Sequence, residues 1–158
     1  MLTLIATGKL KEAFYRSAVE EYDKRIKAYG GIRILELPEV RLPENPSQAQ
    51  IDAALKKEAE AVLQKLPKSC WLCALTPEGK LLSSEQLADK LSAVRLAGRS
   101  ELVFLIGSSF GIAPELKARA DFKLSMSPMT FPHHLARVMV LEQLYRAESI
   151  LAGSKYHK

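Results

Sequence analysis

The sequence lacks any apolar run near the roughly 18 residues that a bilayer-spanning helix needs. Its first residues, Met1 to Ala6, carry no basic stretch ahead of the apolar one and so do not match an export signal. We therefore expect a cytoplasmic protein that does not contact a membrane.

Cysteine and histidine are scarce, with two and three residues respectively. Cys70 and Cys73 form a C-x-x-C pair, but they lie in an apolar run typical of a buried strand, where residues three apart point to opposite faces. His133 and His134 are adjacent and diverge around a helix, and no H-E-x-x-H motif or Cys/His cluster is present. We expect two buried thiols and no metal site.

The chain has 158 residues, 47% hydrophobic and 26% charged, which is the profile of an ordinary globular protein. This length favours one domain over residues 1–158. Lysine and arginine outnumber acidic residues by 23 to 18, for a net charge of +5. The excess favours a polyanionic partner, although only weakly.

Five short apolar runs alternate with helical patterns, which is typical of an α/β protein with a mostly parallel sheet. We expect five to six strands with helices on both faces. Ser47 and Ser83 are each followed three residues later by glutamine, which predicts capping boxes at two helix starts. Glycines at 30 and 31 and at 98 predict helix ends. The candidate strands are Leu2–Thr7, Ile32–Leu37, Cys70–Leu75, Leu102–Ile106 and Phe122–Ser125.

Three segments follow the carboxyl ends of strands, where α/β folds bind ligands. The segment 75–80 resembles an ordinary turn leaving its strand. The segment 107–111 is a Gly/Ser loop in which a ligand can approach the backbone, but it matches neither the dinucleotide fingerprint nor the lysine-containing phosphate loop. The segment 124–134 is an uncharged loop for which simple packing and a cofactor pocket remain equally open.

The last predicted helix opens at Pro132, a favoured first position. Its apolar residues cover most of the helix circumference, so it has to be buried on more than one side. In a small chain this pattern favours a homodimer interface on the helix. The apolar positions are Leu135, Ala136, Val138, Met139, Val140, Leu141, Leu144 and Tyr145.

Several phrases of the sequence together resemble the bacterial large-subunit ribosomal RNA pseudouridine N3-methyltransferases of the SPOUT class. The resemblance covers the whole chain and is most specific from Met129 to the end. The phrases are Gly8-Lys9-Leu10-Lys11, Glu21-Tyr22-Asp23-Lys24-Arg25, Gly79-Lys80 with Ser83-Ser84-Glu85, Phe104-Leu105-Ile106-Gly107, Met129-Thr130-Phe131-Pro132-His133, Arg137-Val138, Glu142 to Ala147, and Tyr156-His157-Lys158.

The resemblance implies a C-terminal trefoil knot, a homodimer and S-adenosylmethionine bound by three loops at the knot. Without it, the rarity of threaded chains would favour an unknotted sheet. Family members commonly have Gly-Gly where this chain has Gly107-Ser108, which leaves close cofactor contact at residue 108 open. By position, the implied cofactor contacts are Leu75, Gly107, Met126, Ser127, Pro128, Met129, Thr130 and Phe131.

The resemblance also implies methyl transfer to N3 of a pseudouridine in the ribosomal RNA of the assembled ribosome. Because N3 carries a proton that must leave, a base or polar relay is needed. His133, Tyr156 and His157 are candidates for base or substrate positioning, and Arg137 for phosphate or base contact. Two alternatives remain: a knotted methyltransferase for another RNA position, and a ribosome-binding factor without catalysis. The lysines that could meet phosphate are Lys9, Lys11, Lys155 and Lys158.

Overall fold

The computed structural model of the chain describes residues 1–157, in which five strands form one all-parallel sheet in the order β2-β1-β4-β3-β5. The α/β class, the parallel sheet and the number of strands agree with the prediction. The strands are β1 (Leu2–Thr7), β2 (Ile32–Leu37), β3 (Trp71–Leu81), β4 (Leu102–Ile106) and β5 (Phe122–Ser125). The helices are α1 (Ala13–Ile26), α2 (Gln48–Lys65), α3 (Ser84–Leu96), α4 (Pro114–Arg119) and α5 (His133–Leu151).

Helices cover both faces of the sheet because the strand side chains alternate between two apolar layers. In β1, Leu4 faces the layer shared with α1, α3 and α5, whereas Ile5 faces the layer shared with α2 and α4. Both side chains are fully buried. This double burial explains why the central strands are continuous apolar runs rather than alternating ones.

The two cysteines lie in different layers, as predicted. Cys70 packs with the α2/α4 layer and Cys73 with the α1/α3/α5 layer, and neither forms a disulfide. Burial raises the pKa of the Cys73 thiol to about 12, so this residue stays protonated at neutral pH. Because the two thiols lie on opposite faces of the sheet, they cannot pair in a disulfide or share a metal ion.

Most helices begin and end close to the residues that the sequence predicts. Ser47 and Ser83 both form complete capping boxes with the glutamines three residues later. Gly30 and Gly98 adopt positive φ angles of 97° and 82° after their helices. At α5 the prediction was off by one position, since Pro132 is the residue before the helix and His133 is the first helical residue.

Strand β3 differs from the prediction, because it continues through the segment 75–80 to Leu81 instead of ending at Leu75. Leu75 and Lys80 both pair with Leu124 of β5, so the residues between them form an irregular excursion from the strand. A Cβ atom on Gly79 would lie 2.5 Å from the Leu124 carbonyl carbon. Glycine therefore permits a close crossing of two backbone segments beside the loops that follow β4 and β5.

None of the helices in residues 1–157 is long and apolar enough to cross a membrane.

Candidate functional site

A cleft of about 610 Å³ lies beside the irregular middle of β3 and the ends of β4 and β5, and all three predicted loops line it. The lining comes from residues 75–77 after the first part of β3, from the loop after β4 and from the segment that joins β5 to α5. The lining residues are Leu75, Thr76, Pro77, Ile106, Gly107, Ser108, Ser109, Gly111, Leu124, Ser125, Met126, Ser127, Met129, Thr130, Phe131, Pro132, His133 and Ala136.

Seven of the eight residues predicted to contact the cofactor line this cleft, and Pro128 is the exception. The cleft also includes residues that the sequence did not single out, among them Thr76 and Ala136. Ala136 lies about one helical turn after His133, so helix periodicity could have identified it. Thr76 is a direct neighbour of a predicted contact. Its side chain is almost fully buried.

The loop after β4 has a tightly folded backbone. A Cβ atom on Gly107 would lie 2.1 Å from the Gly111 carbonyl oxygen, so no other residue type fits at position 107 without moving the loop. Gly111 has a φ of 91° and its N–H donates to the Ser108 carbonyl. The two glycines thus set the shape of this wall of the cleft.

Ser108, the departure from the family pattern, is anchored outside the cleft space. Its Oγ donates to Oε2 of Glu58 on α2 at 2.8 Å, and Ser108 and Glu58 are both buried. The other carboxylate oxygen of Glu58 accepts from the Val40 N–H at 2.9 Å. The hydroxyl therefore holds the loop against α2, and the backbone of residue 108 still lines the cleft.

We expect Ser108→Ala to lower the free energy of unfolding by about 1–3 kcal/mol, because Glu58 would lose a partner in a buried position. Ser109→Ala is the matched control: Ser109 is exposed and bonds the partly exposed Glu39, so its loss is expected to cost less than about 0.5 kcal/mol. Urea denaturation of both variants checks this. Equal midpoints for the two variants would contradict the anchoring role of Ser108.

His133, the first residue of α5, forms part of the cleft wall. Its Nε2 atom is buried without a hydrogen-bond partner among the described residues. Burial lowers the pKa of His133 below its ordinary value, and the neighbouring His134 lowers it further. The neutral imidazole therefore predominates near pH 7, and its Nε2 lies buried near Gly8 while the residue lines the cleft.

Arg137 lies one turn further along α5 and is only 1% exposed. Its guanidinium donates to Oε2 of Glu36 at 2.5 Å and to the carbonyl oxygen of Gly8 at 2.8 Å. These contacts join α5 to the loop after β1 and to β2. The guanidinium thus faces the protein interior rather than solvent.

Tyr156 and His157 lie at the other end of α5. The Tyr156 hydroxyl donates to Glu142 at 3.2 Å, and the ring packs against Tyr145 and under the Arg146 guanidinium. His157 Nε2 lies 2.7 Å from Glu85 on α3. The pKa of Glu85 falls to about 2, chiefly through its backbone hydrogen bond and then through His157.

One chain therefore does not bring all four candidate catalytic residues together. Tyr156 bonds Glu142 and His157 lies beside Arg146, which follow His133 by nine and thirteen positions on α5, or by about 14 and 20 Å along its axis. The tail packs near residues 142 and 146, whereas His133 lines the cleft at the start of the helix. The sequence does not predict the distance between these residues, because that distance depends on how the tail folds back onto α5.

A second cleft, of about 480 Å³, runs between α3 and α5 next to the tail. Val138 and Met139 of α5 line it and remain partly exposed, as do Leu82 and Tyr22. This is the side of α5 that its own core leaves uncovered. Within residues 1–157, no group of three or more His, Cys, Asp or Glu side chains could hold a metal ion.

Comparison with known proteins agrees with this geometry. Residues 1–157 match the family described as "Predicted SPOUT methyltransferase". The chain is 43% identical over 157 residues to each of two proteins named "Ribosomal RNA large subunit methyltransferase H", from Alkaliphilus oremlandii and Carboxydothermus hydrogenoformans, covering 99% of each chain.

A solved structure titled as a probable methylase family protein from Haemophilus influenzae has the same fold. Its TM-score is 0.52 at 15% identity, over 99% of this chain and 69% of that one. The match of the family over residues 1–157 and the identity to the two relatives lead to one assignment. The chain belongs to the SPOUT methyltransferase family, whose α/β fold carries the trefoil knot.

Proposed function

We propose that this protein transfers a methyl group from S-adenosylmethionine to N3 of a pseudouridine in large-subunit ribosomal RNA, in the assembled ribosome of the cytoplasm. The observation that carries the proposal is that one cleft unites the three predicted loops and has His133 among its lining residues. The names of the relatives support the choice of ribosomal RNA as substrate.

The residues of the cleft suit S-adenosylmethionine. A volume of about 610 Å³ falls in the usual range for small-molecule sites. Leu75, Met126 and Met129 offer apolar contacts, while the loop backbone offers polar ones. When bound, the cofactor supplies a methyl group that its sulfonium already activates. The protein then has to align the acceptor nitrogen and exclude water.

His133 is our choice for the group that removes the N3 proton. A general base must be unprotonated at the working pH and within reach of the acceptor. The lowered pKa of His133 satisfies the first condition, and its place in the cleft wall supports the second. Arg137 acts as a positioning residue, because it fixes the start of α5 against the loop at Gly8.

We further propose that the active protein is a homodimer formed on the uncovered side of α5. Tyr156 bonds Glu142 and His157 lies beside Arg146, about 14 and 20 Å from His133 along the helix of one chain, too far for the three side chains to act on one base. A second copy packed on Val138 and Met139 would bring the tail of one subunit towards the cofactor cleft of the other. The exposed Lys9, Lys11 and Lys155 are then available for phosphate contacts, whereas Lys158 lies outside the described residues.

A mixing experiment tests the shared site. We expect His133→Asn and a Tyr156→Ala/His157→Ala double variant each to be inactive alone, and their randomly reassembled mixture to recover about a quarter of the wild-type rate. Half of the dimers are mixed, and each mixed dimer has one site with both sets of residues intact. Sites built within one chain would give no recovery.

Nucleoside mass spectrometry tests the reaction itself. Ribosomal RNA from a strain that lacks the protein should lose one 3-methylpseudouridine and regain it after treatment of its ribosomes with the protein and S-adenosylmethionine. A different missing nucleoside would favour another RNA position. Unchanged RNA together with ribosome binding would favour a non-catalytic factor.

A further inference from the structure

Four aromatic rings form a continuous row from the protein surface to the cofactor cleft. The ring centroids of Phe14 and Tyr15 lie 4.3 Å apart, those of Tyr15 and His134 6.0 Å apart, and those of His134 and His133 4.1 Å apart. No step in the row exceeds the distance at which aromatic rings interact favourably. The inner end, His133, lines the cleft.

Phe14, at the outer end of the row, is unusually exposed for a large apolar side chain. Phe14, in the first turn of α1, is 66% exposed, although a phenylalanine normally contributes to the core. Its ring packs on Tyr15 rather than on the sheet. Packing within the single chain therefore does not explain why an apolar side chain stands at this position.

The charges around the row are mostly positive. Lys9, Lys11 and Arg16 are exposed beside Phe14 in sequence. Arg16 also donates to the Leu10 carbonyl oxygen, which fixes the loop that carries the lysines. The nearby acidic group of Glu12 lies 3.5 Å from Nδ1 of His134. An aromatic surface flanked by free cations matches the chemistry of a nucleic-acid strand, whose bases stack and whose phosphates need positive partners.

We propose that the row of Phe14, Tyr15 and His134 is a stacking platform for an unpaired RNA base next to the target nucleoside. The inference rests on the proposed function, because it assumes that RNA approaches the cleft at His133. A base stacked on Phe14 would hold the strand while the target nucleoside enters the cleft. Stacking of this kind is tolerant of sequence, so the platform would orient the RNA rather than read it.

The test compares substitutions of Phe14 that preserve different properties. Phe14→Leu keeps an apolar side chain but removes the ring, and we expect it to lower kcat/KM on ribosomes that lack the methyl group about tenfold. Phe14→Trp keeps a larger ring and should retain or raise the wild-type value. Leu96→Ala is the matched control: Leu96 is 85% exposed on α3, away from this surface, and its removal should leave the rate unchanged.

Two further measurements separate stacking from other causes. Calorimetry with S-adenosylmethionine and light scattering of Phe14→Leu should give the wild-type affinity and mass. If Phe14→Leu matched the wild-type rate, or if it lost activity only by changing the mass, the platform would be wrong while the methyltransferase proposal stood. If wild-type protein itself left ribosomal RNA unmethylated, the proposed function would fail first.

Discussion

Arg137→Ala is expected to lower the free energy of unfolding by about 3 kcal/mol. The substitution removes a long side chain that is 1% exposed and leaves the Gly8 carbonyl oxygen without its donor. Most of the loss comes from the cavity and from this carbonyl. Glu36 contributes less, because it is 39% exposed and water can solvate it once the arginine is gone. Urea denaturation followed by circular dichroism measures the effect.

Two variants distinguish this anchoring role from direct contact with RNA. Arg137→Met retains much of the volume and should recover part of the lost stability, whereas Arg137→Lys cannot bond Gly8 and Glu36 in the same fork geometry. If Arg137 instead bound phosphate in the resting protein, Arg137→Ala would keep its stability. It would then weaken ribosome binding and reduce the dependence of binding on salt.

Sequence patterns identified the fold elements wherever local chemistry and tertiary structure agree. The doubly buried strand Leu102–Ile106 is wholly apolar, and the capping box at Ser83 depends on residues three apart. Strand β3 was predicted too short because Pro77 and Gly79 are typical turn residues. Its last residues, Lys80 and Leu81, are strand only because β5 pairs with them. Long-range pairing overrides local preference there.

In the candidate site, too, local features could be predicted from the sequence and long-range contacts could not. The cleft loops could be recognised because each follows a predicted strand end, and the family resemblance gave them a ligand. The burial of Arg137 could not be recognised, because its partners Glu36 and Gly8 are 101 and 129 positions away. The separation of Tyr156 from His133 was equally hidden, since it follows from where the tail packs. Contacts distant in the sequence therefore determine which candidate residues lie close together.

His133→Asn is expected to lower the rate of methyl transfer by about 10²- to 10⁴-fold, the usual contribution of a general base. Asparagine retains a polar group in the cleft wall but cannot accept the N3 proton. Single-turnover methylation of ribosomes by saturating protein measures the chemical step, and calorimetry with S-adenosylmethionine is the control. Unchanged single-turnover rates with unchanged cofactor affinity would remove His133 from the mechanism.

The pH dependence of the wild-type reaction provides an independent check on His133. Burial and the adjacent His134 lower its pKa, so the neutral, proton-accepting form predominates throughout the neutral range. We expect kcat/KM to be level near pH 7 and to fall only as the pH drops below 6.5, through the lowered pKa. The pH profile of His133→Asn should lack this acidic limb, and its rate should be lower at every pH. An acidic limb that persisted in the variant with the same midpoint would assign the titration to a group other than His133.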